Sequence, residues 1–229
     1  MKEKLLEFLR IPPEVRSVFW QDILQKNRLS LLVICVMIFG MELFNMARVL
    51  FLSSVGLGTL NNRIYFGLYF SLWLAAALYL LLSYRTRRAP ARKRWAVQYG
   101  AVLFFLLWHV VCNAYDLIQG HSAATTIYIT AVLALAVFIQ MPGLFSIIAY
   151  ASAYTLFMAL TAPVLDEGSK INLTFTTIVS LAVSLTTCRH TVVMTAQRQE
   201  IDQINRQLHT LLQRDPLTGL LNTAAFSHC

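Results

Sequence analysis

The chain has 229 residues, 57% of them hydrophobic and 13% charged, with a formal net charge of +8 and a mean hydropathy of +0.60. Globular domains carry roughly 25% charged residues, so this balance excludes an ordinary soluble domain. The basic excess is explained by membrane topology and anionic headgroups, and no nucleic-acid partner is expected.

In chain order, residues 1–28 come first. Lys2, Lys4 and Arg10 alternate with Leu5, Leu6, Phe8 and Leu9, and Pro12-Pro13 then precedes Val15, Val18, Phe19, Trp20 and Ile23. This pattern predicts short amphipathic helices at the cytoplasmic headgroups, anchoring the chain or bracing the bundle. Six apolar runs follow, at about 29–53, 64–84, 95–117, 124–140, 143–164 and 171–187, each near the roughly 20 residues that a membrane helix needs. Pro142-Gly143 separates the fourth from the fifth. The expected fold is all-α: an integral membrane six-helix bundle over 29–187, with N-terminal interfacial helices and a C-terminal coiled-coil signalling helix. The first run starts too late and is too long for a cleavable signal, so it is read as an anchor.

Basic residues fix the expected orientation. Arg16, Lys26 and Arg28 join the earlier three before the first run, and Arg85, Arg87, Arg88, Arg92, Lys93 and Arg94 fill the loop after the second. Arg189, Arg198, Arg206 and Arg214 follow the sixth, whereas the expected outer loops hold only Arg63 and Lys170. Both termini are therefore placed in the cytoplasm. Cys35, Cys112, Cys188 and Cys229 show no paired spacing and suggest no disulfide framework.

A charged residue at the centre of a membrane helix costs about 2.5–3.5 kcal/mol on insertion scales, so polar groups inside the runs need partners. Glu42, Asn45 and Arg48 lie three apart on the first run. His109, Cys112, Asn113 and Asp116 share one face of the third. Tyr128, Tyr154, Asn172 and Thr174 fall at a similar outer depth, with Tyr150 deeper. One reading pairs Arg48 with Asp116 or Glu42 and makes the cluster a packing device. The other makes Glu42, Asn45, Arg48, His109, Asn113, Asp116, Tyr128 and Tyr154 the lining of an outward-opening pocket, where Arg48 engages a ligand carboxylate or phosphate. The ligand would be a small molecule from the periplasm, the outside or the membrane. His109, Cys112 and Asp116 mix soft and hard donors without a second histidine nearby, and no metal site is assigned.

Beyond the sixth run, Met194, Ile201 and Leu208 repeat by seven, and Gln197, Ile204 and Leu211 form the companion series. This short heptad seam, within 188–213, predicts a coiled coil and a parallel homodimer. The competing reading is an amphipathic helix that folds back onto its own surface.

Residues 214–229 begin Arg214-Asp215-Pro216-Leu217-Thr218-Gly219-Leu220-Leu221-Asn222 and continue to Phe226. Asp215, Leu217, Thr218, Gly219, Leu220, Asn222 and Phe226 match the opening motif of GGDEF domains, D-x-L-T-G-L-x-N-R-R-x-F; Thr223 and Ala224 stand where that family often has two arginines. The string thus resembles the start of a membrane-bound diguanylate cyclase's output domain. The resemblance implies a multi-pass protein of the bacterial inner membrane, whose paired cyclase domains condense two GTP molecules into cyclic di-GMP with magnesium or manganese. The family's signature loop, metal carboxylates and guanine contacts would lie beyond Cys229. The chain is accordingly read as a sensor region cut off just inside its output domain, not itself an enzyme, with no catalytic residue and no cofactor of its own. Two other readings remain: a scaffold of lipid-embedded helices that anchors and dimerises without a ligand, and a small six-helix transporter, against which there is no convincing repeat between the halves.

Overall fold

A computed structural model describes residues 10–120 and 124–213, with side chains through His209. Among these residues there are no strands. Six α-helices follow one another: α1 Pro13–Ala47, α2 Leu60–Arg85, α3 Ala91–Ile118, α4 Thr126–Phe138, α5 Gly143–Thr161 and α6 Glu167–Gln213. The all-α expectation is met. Five of the helices are long and apolar enough to cross a membrane, as in a multi-pass membrane protein. The N-terminal sequence 1–9 and the GGDEF-like string at 215–226 lie outside the described residues.

The fourth apolar run, expected as a span over 124–140, is the exception. Its helix has only 13 residues, about 20 Å at 1.5 Å per residue, against a hydrocarbon core of roughly 30 Å. Pro142 disfavours a helical conformation just before it, and the chain has already become extended at Ile139. Residues 13–28 also differ from expectation. They form no separate headgroup helix but are the opening turns of α1, which runs for 35 residues. Pro13 suits the first helical position, and no further proline or glycine interrupts the chain before Gly40. The stripe of Val15, Phe19 and Ile23 is buried against Cys188 and Val192 of α6.

At its far end α1 closes with a π-helical turn, Arg48–Leu52. A positive φ at Gly56, a conformation natural to glycine, then turns the chain toward α2. Asn62 Nδ2 ties this loop by donating to the Gly56 carbonyl at 2.6 Å and to Ser53 Oγ at 3.1 Å. Asp166 precedes α6 and accepts from the Ser169 hydroxyl at 2.6 Å and its N–H at 2.9 Å. These bonds hold the exposed Asp166 carboxyl below its ordinary pKa and satisfy a helix N-terminal donor.

Helix α3 is central, packing on α1, α2, α4 and α5, while α6 packs on α1, α4 and α5. Leu31, Leu72, Val102, Leu106, Val132, Tyr150 and Phe157 belong to the shared core. Exposed Val36, Leu43, Phe175 and Ile178 point outward, where lipid chains rather than water suit them.

The break between α4 and α5 is held by a polar clamp. Asn27 of α1 donates to the Gln140 carbonyl at 2.8 Å and accepts from the Gln140 N–H at 2.8 Å. Tyr99 of α3 donates to the same carbonyl at 2.7 Å. Asn27 and Tyr99 are each 1% exposed, so no bulk water can replace these bonds. Substituting Asn27→Leu strands the Gln140 N–H and is expected to cost about 1–3 kcal/mol. Thermal unfolding in detergent checks this; an unchanged midpoint would mean that the clamp is not structural.

Candidate functional site

Helices α1 and α4 both rest on α3 and leave a lateral crevice between them, with Leu72 of α2 also in its lining. Its volume is about 320 Å³. Ile34, Ile38, Phe105, Leu106, Ala131 and Leu135 make most of the wall apolar, and exposed Met37, Met41 and Phe138 stand at the rim. Within this apolar surface lie two groups of acid–base character, the Glu42 carboxyl and the His109 imidazole. The sequence had placed them in one polar cluster, and the structure brings both to one cavity, Glu42 from the last two turns of α1 and His109 from the second half of α3.

Each group is oriented from its own helix. Asn45, one turn beyond Glu42, donates to Glu42 Oε2 at 3.3 Å. His109 Nδ1 lies 2.6 Å from the Phe105 carbonyl, a contact that requires a proton on Nδ1. In the neutral ring this leaves Nε2 as an acceptor. Trp108 meets the imidazole edge-on at 5.0 Å between ring centroids, and its own Nε1 donates to Leu68 and Ser71 of α2. The crevice therefore offers a mainly hydrophobic volume with a carboxyl and an imidazole, chemistry suited to an apolar molecule bearing one polar group.

The other candidates lie elsewhere. Asn113 is fully buried, donates to the Ala124 carbonyl at 3.0 Å and accepts from the Tyr128 N–H at 3.0 Å. It thereby secures the start of α4. Tyr128 Oη bonds Thr177 Oγ1 at 2.9 Å, and Tyr154 Oη bonds Thr174 Oγ1 at 2.7 Å, fastening α4 and α5 to α6. Asp116 accepts from the Tyr65 hydroxyl. Arg48 stands exposed in the π turn, and no ion pair joins it to Asp116 or Glu42. Among the described residues His109, Cys112 and Asp116 form no metal-binding group, and Cys35, Cys112 and Cys188 are buried free thiols.

Sequence reasoning missed Tyr65 and Asn61. They sit four apart on α2, and Asn61 accepts from Tyr115 of α3 at 2.8 Å. That spacing is the only signal they give, because the partners come from another helix. The same applies to Thr177, whose hydroxyl also back-bonds to Leu173 at 2.8 Å.

Comparison of the chain with models of known families, with curated proteins and with solved structures gives no match in any of the three. The GGDEF resemblance therefore rests on residues 215–226 themselves.

A double-mutant cycle of Tyr154→Phe and Thr174→Val should give a coupling near the ~0.6 kcal/mol average for polar pairs between membrane helices. Unfolding in mixed micelles provides the measurement. Zero coupling would remove the α5–α6 hydrogen bond from the account of packing.

Proposed function

We propose that the chain is the transmembrane sensor module of a diguanylate cyclase, working as a parallel homodimer in a bacterial inner membrane. In this reading all six helices belong to the membrane bundle, with α4 completing its crossing through the extended residues around it. Both termini are cytoplasmic, as the arginine-rich loop after α2 favours.

The observation that carries the proposal is the length and surface of α6. This single helix has 47 residues, about 70 Å at 1.5 Å per residue, more than twice the hydrocarbon thickness. Through Thr195 it retains buried positions, and from Ala196 through His209 it is almost wholly exposed. From just before this stretch and along it, Met194, Ile201, Ile204 and Leu208 are large apolar residues exposed at heptad spacing. Such a seam is stable in water when a second helix covers it. It leads directly into the GGDEF-like string, whose cyclase domains act in pairs according to the resemblance.

The input in this reading is a small, mainly apolar molecule that enters the α1–α4 crevice from the lipid and bonds Glu42 or His109. This is deeper than the outward-opening pocket inferred from sequence. The crevice touches α4, and α4 packs on α6 through contacts that include Tyr128–Thr177. Occupancy would bias the pose of α6, and the seam would carry that change to the output domains. The opposing feature is the bonding of Asn113, Tyr128 and Tyr154 within the bundle, which favours an anchoring and dimerisation scaffold without a ligand.

Single cysteines at Met194, Ile201 and Leu208 should cross-link between copies in membranes far more readily than cysteines at Arg198 or Gln203. Fusing residues 1–213 to a cyclase domain of known activity tests the relay. Two glycines inserted after Gln197 should uncouple cyclic di-GMP output from the membrane region. Uniform cross-linking at all five positions would contradict the seam, and undiminished regulation after the insertion would contradict a continuous-helix relay.

A further inference from the structure

At the Pro13 end of the bundle a second cavity, about 360 Å³, opens between α1, α2 and α3. Its polar wall combines Gln25 and Arg28 of α1, Arg87 just beyond α2, and Arg94 and Gln98 of α3. Among the described residues no aspartate or glutamate lines it. Three guanidinium groups around one concavity repel each other unless an anion joins them, and their planar forks match phosphate oxygens.

Two details indicate more than a generally basic surface. Arg94 Nε is buried without a hydrogen-bond partner among the described residues, as is Gln98 Oε1. Gln98 is 4% exposed, and its Nε2 is already committed to the Leu24 carbonyl at 2.8 Å. The wall thus presents one orphaned donor, suited to an anion, and one orphaned acceptor, suited to a hydroxyl. Arg87 is steadied over the Tyr84 ring, 5.1 Å from its centroid.

The basic cavity also adjoins an apolar one. Val97 lines both, and the second cavity, about 440 Å³, follows the α2–α3 groove past Tyr79, Leu82, Gly100 and Phe104. A side chain at Gly100 would meet nothing within 4 Å, so the groove is open there.

We propose that these joined cavities bind one anionic phospholipid. Its phosphate lies among Arg28, Arg87 and Arg94, its headgroup hydroxyl faces Gln98 Oε1, and one acyl chain lies along the groove past Gly100. A free phosphate would use the arginines but not the groove; a lipid uses both. In the orientation proposed above, the site faces the inner leaflet. Its basic end shares no lining residue with the crevice at Glu42, whereas Phe105 lines both that crevice and the groove; the site does not depend on the relay. Its position between α1, α2 and α3 would make bundle packing sensitive to anionic lipid content.

Native mass spectrometry of the intact protein, in detergent with equal phosphatidylglycerol and phosphatidylcholine, tests the proposal. Phosphatidylglycerol should be retained preferentially, by about five-fold for each arginine engaged, as ~1 kcal/mol per basic residue implies. Arg94→Gln should lower that preference. Gly100→Leu, which fills the groove without changing charge, should lower total lipid retention. Arg88→Gln, outside the cavity, should change neither and serves as the control for folding and overall charge. Equal retention of the two lipids, or equal loss with Arg88→Gln and Arg94→Gln, would overturn the site. Displacement of the lipid by millimolar inorganic phosphate, with no effect of Gly100→Leu, would make it a free-phosphate site and overturn the lipid assignment.

Discussion

The exchange of hydrogen bonds between Asn27 and the Gln140 peptide is the constraint on which the architecture rests. Non-helical backbone that is buried must be satisfied by protein, because neither bulk water nor lipid chains can bond it there. Here the chain leaves helix at Ile139 and resumes it at Gly143. Asn27 supplies a donor to the Gln140 carbonyl and an acceptor to the Gln140 N–H, and Tyr99 adds a second donor to that carbonyl. The clamp joins α1 and α3 to the α4–α5 turn, so α4 can stop short and stand apart from α1. The Glu42–His109 crevice lies in the resulting gap.

Apolar burial gives little direction to helix association in lipid, and the polar contacts supply it instead. Tyr65–Asp116 joins α2 to α3, Tyr128–Thr177 joins α4 to α6, and Ser146–Ser184 joins α5 to α6 at 2.9 Å. The Pro13 end is organised differently. There Phe19 and Ile23 cover Cys188 and Val192, so the opening turns of α1 brace α6 just before its surface becomes exposed. A movement of α6 would have to slide against this brace or carry α1 with it. This packing ties the opening of α1 to the part of α6 that leads to Met194.

Much of this fold was legible in the sequence. The apolar runs located α2, α3 and α5 to within a few residues because membrane helices advertise themselves by composition alone. The extension of α1 was harder to read. Charges at Arg16, Lys26 and Arg28 resemble a headgroup helix, and only the facing stripe at Cys188 and Val192 shows where Val15, Phe19 and Ile23 go. The polar cluster was recognised as a set but not as a geometry. Periodicity put Glu42 with Asn45, and His109 with Asp116, on single helix faces. It could not reveal that Asp116 would meet Tyr65, or that the π turn would leave Arg48 exposed. Which helix faces which is a property of packing between segments far apart in sequence. The basic segments were read as signals of topology and of contact with anionic headgroups, but nothing in the sequence showed that three of their arginines converge on one cavity.

The central claim of the proposal is that α6 pairs in parallel along its exposed apolar stripe and changes pose with the state of the crevice. A spin label at Met194→Cys in lipid nanodiscs, with Cys229 replaced by serine, measures this directly as a distance between copies. The account predicts one short, narrow distance, consistent with helix axes about 8–10 Å apart, and a shifted distribution when Ala134→Phe fills the crevice. An absence of dipolar coupling, or a distribution identical in the filled variant, would contradict it.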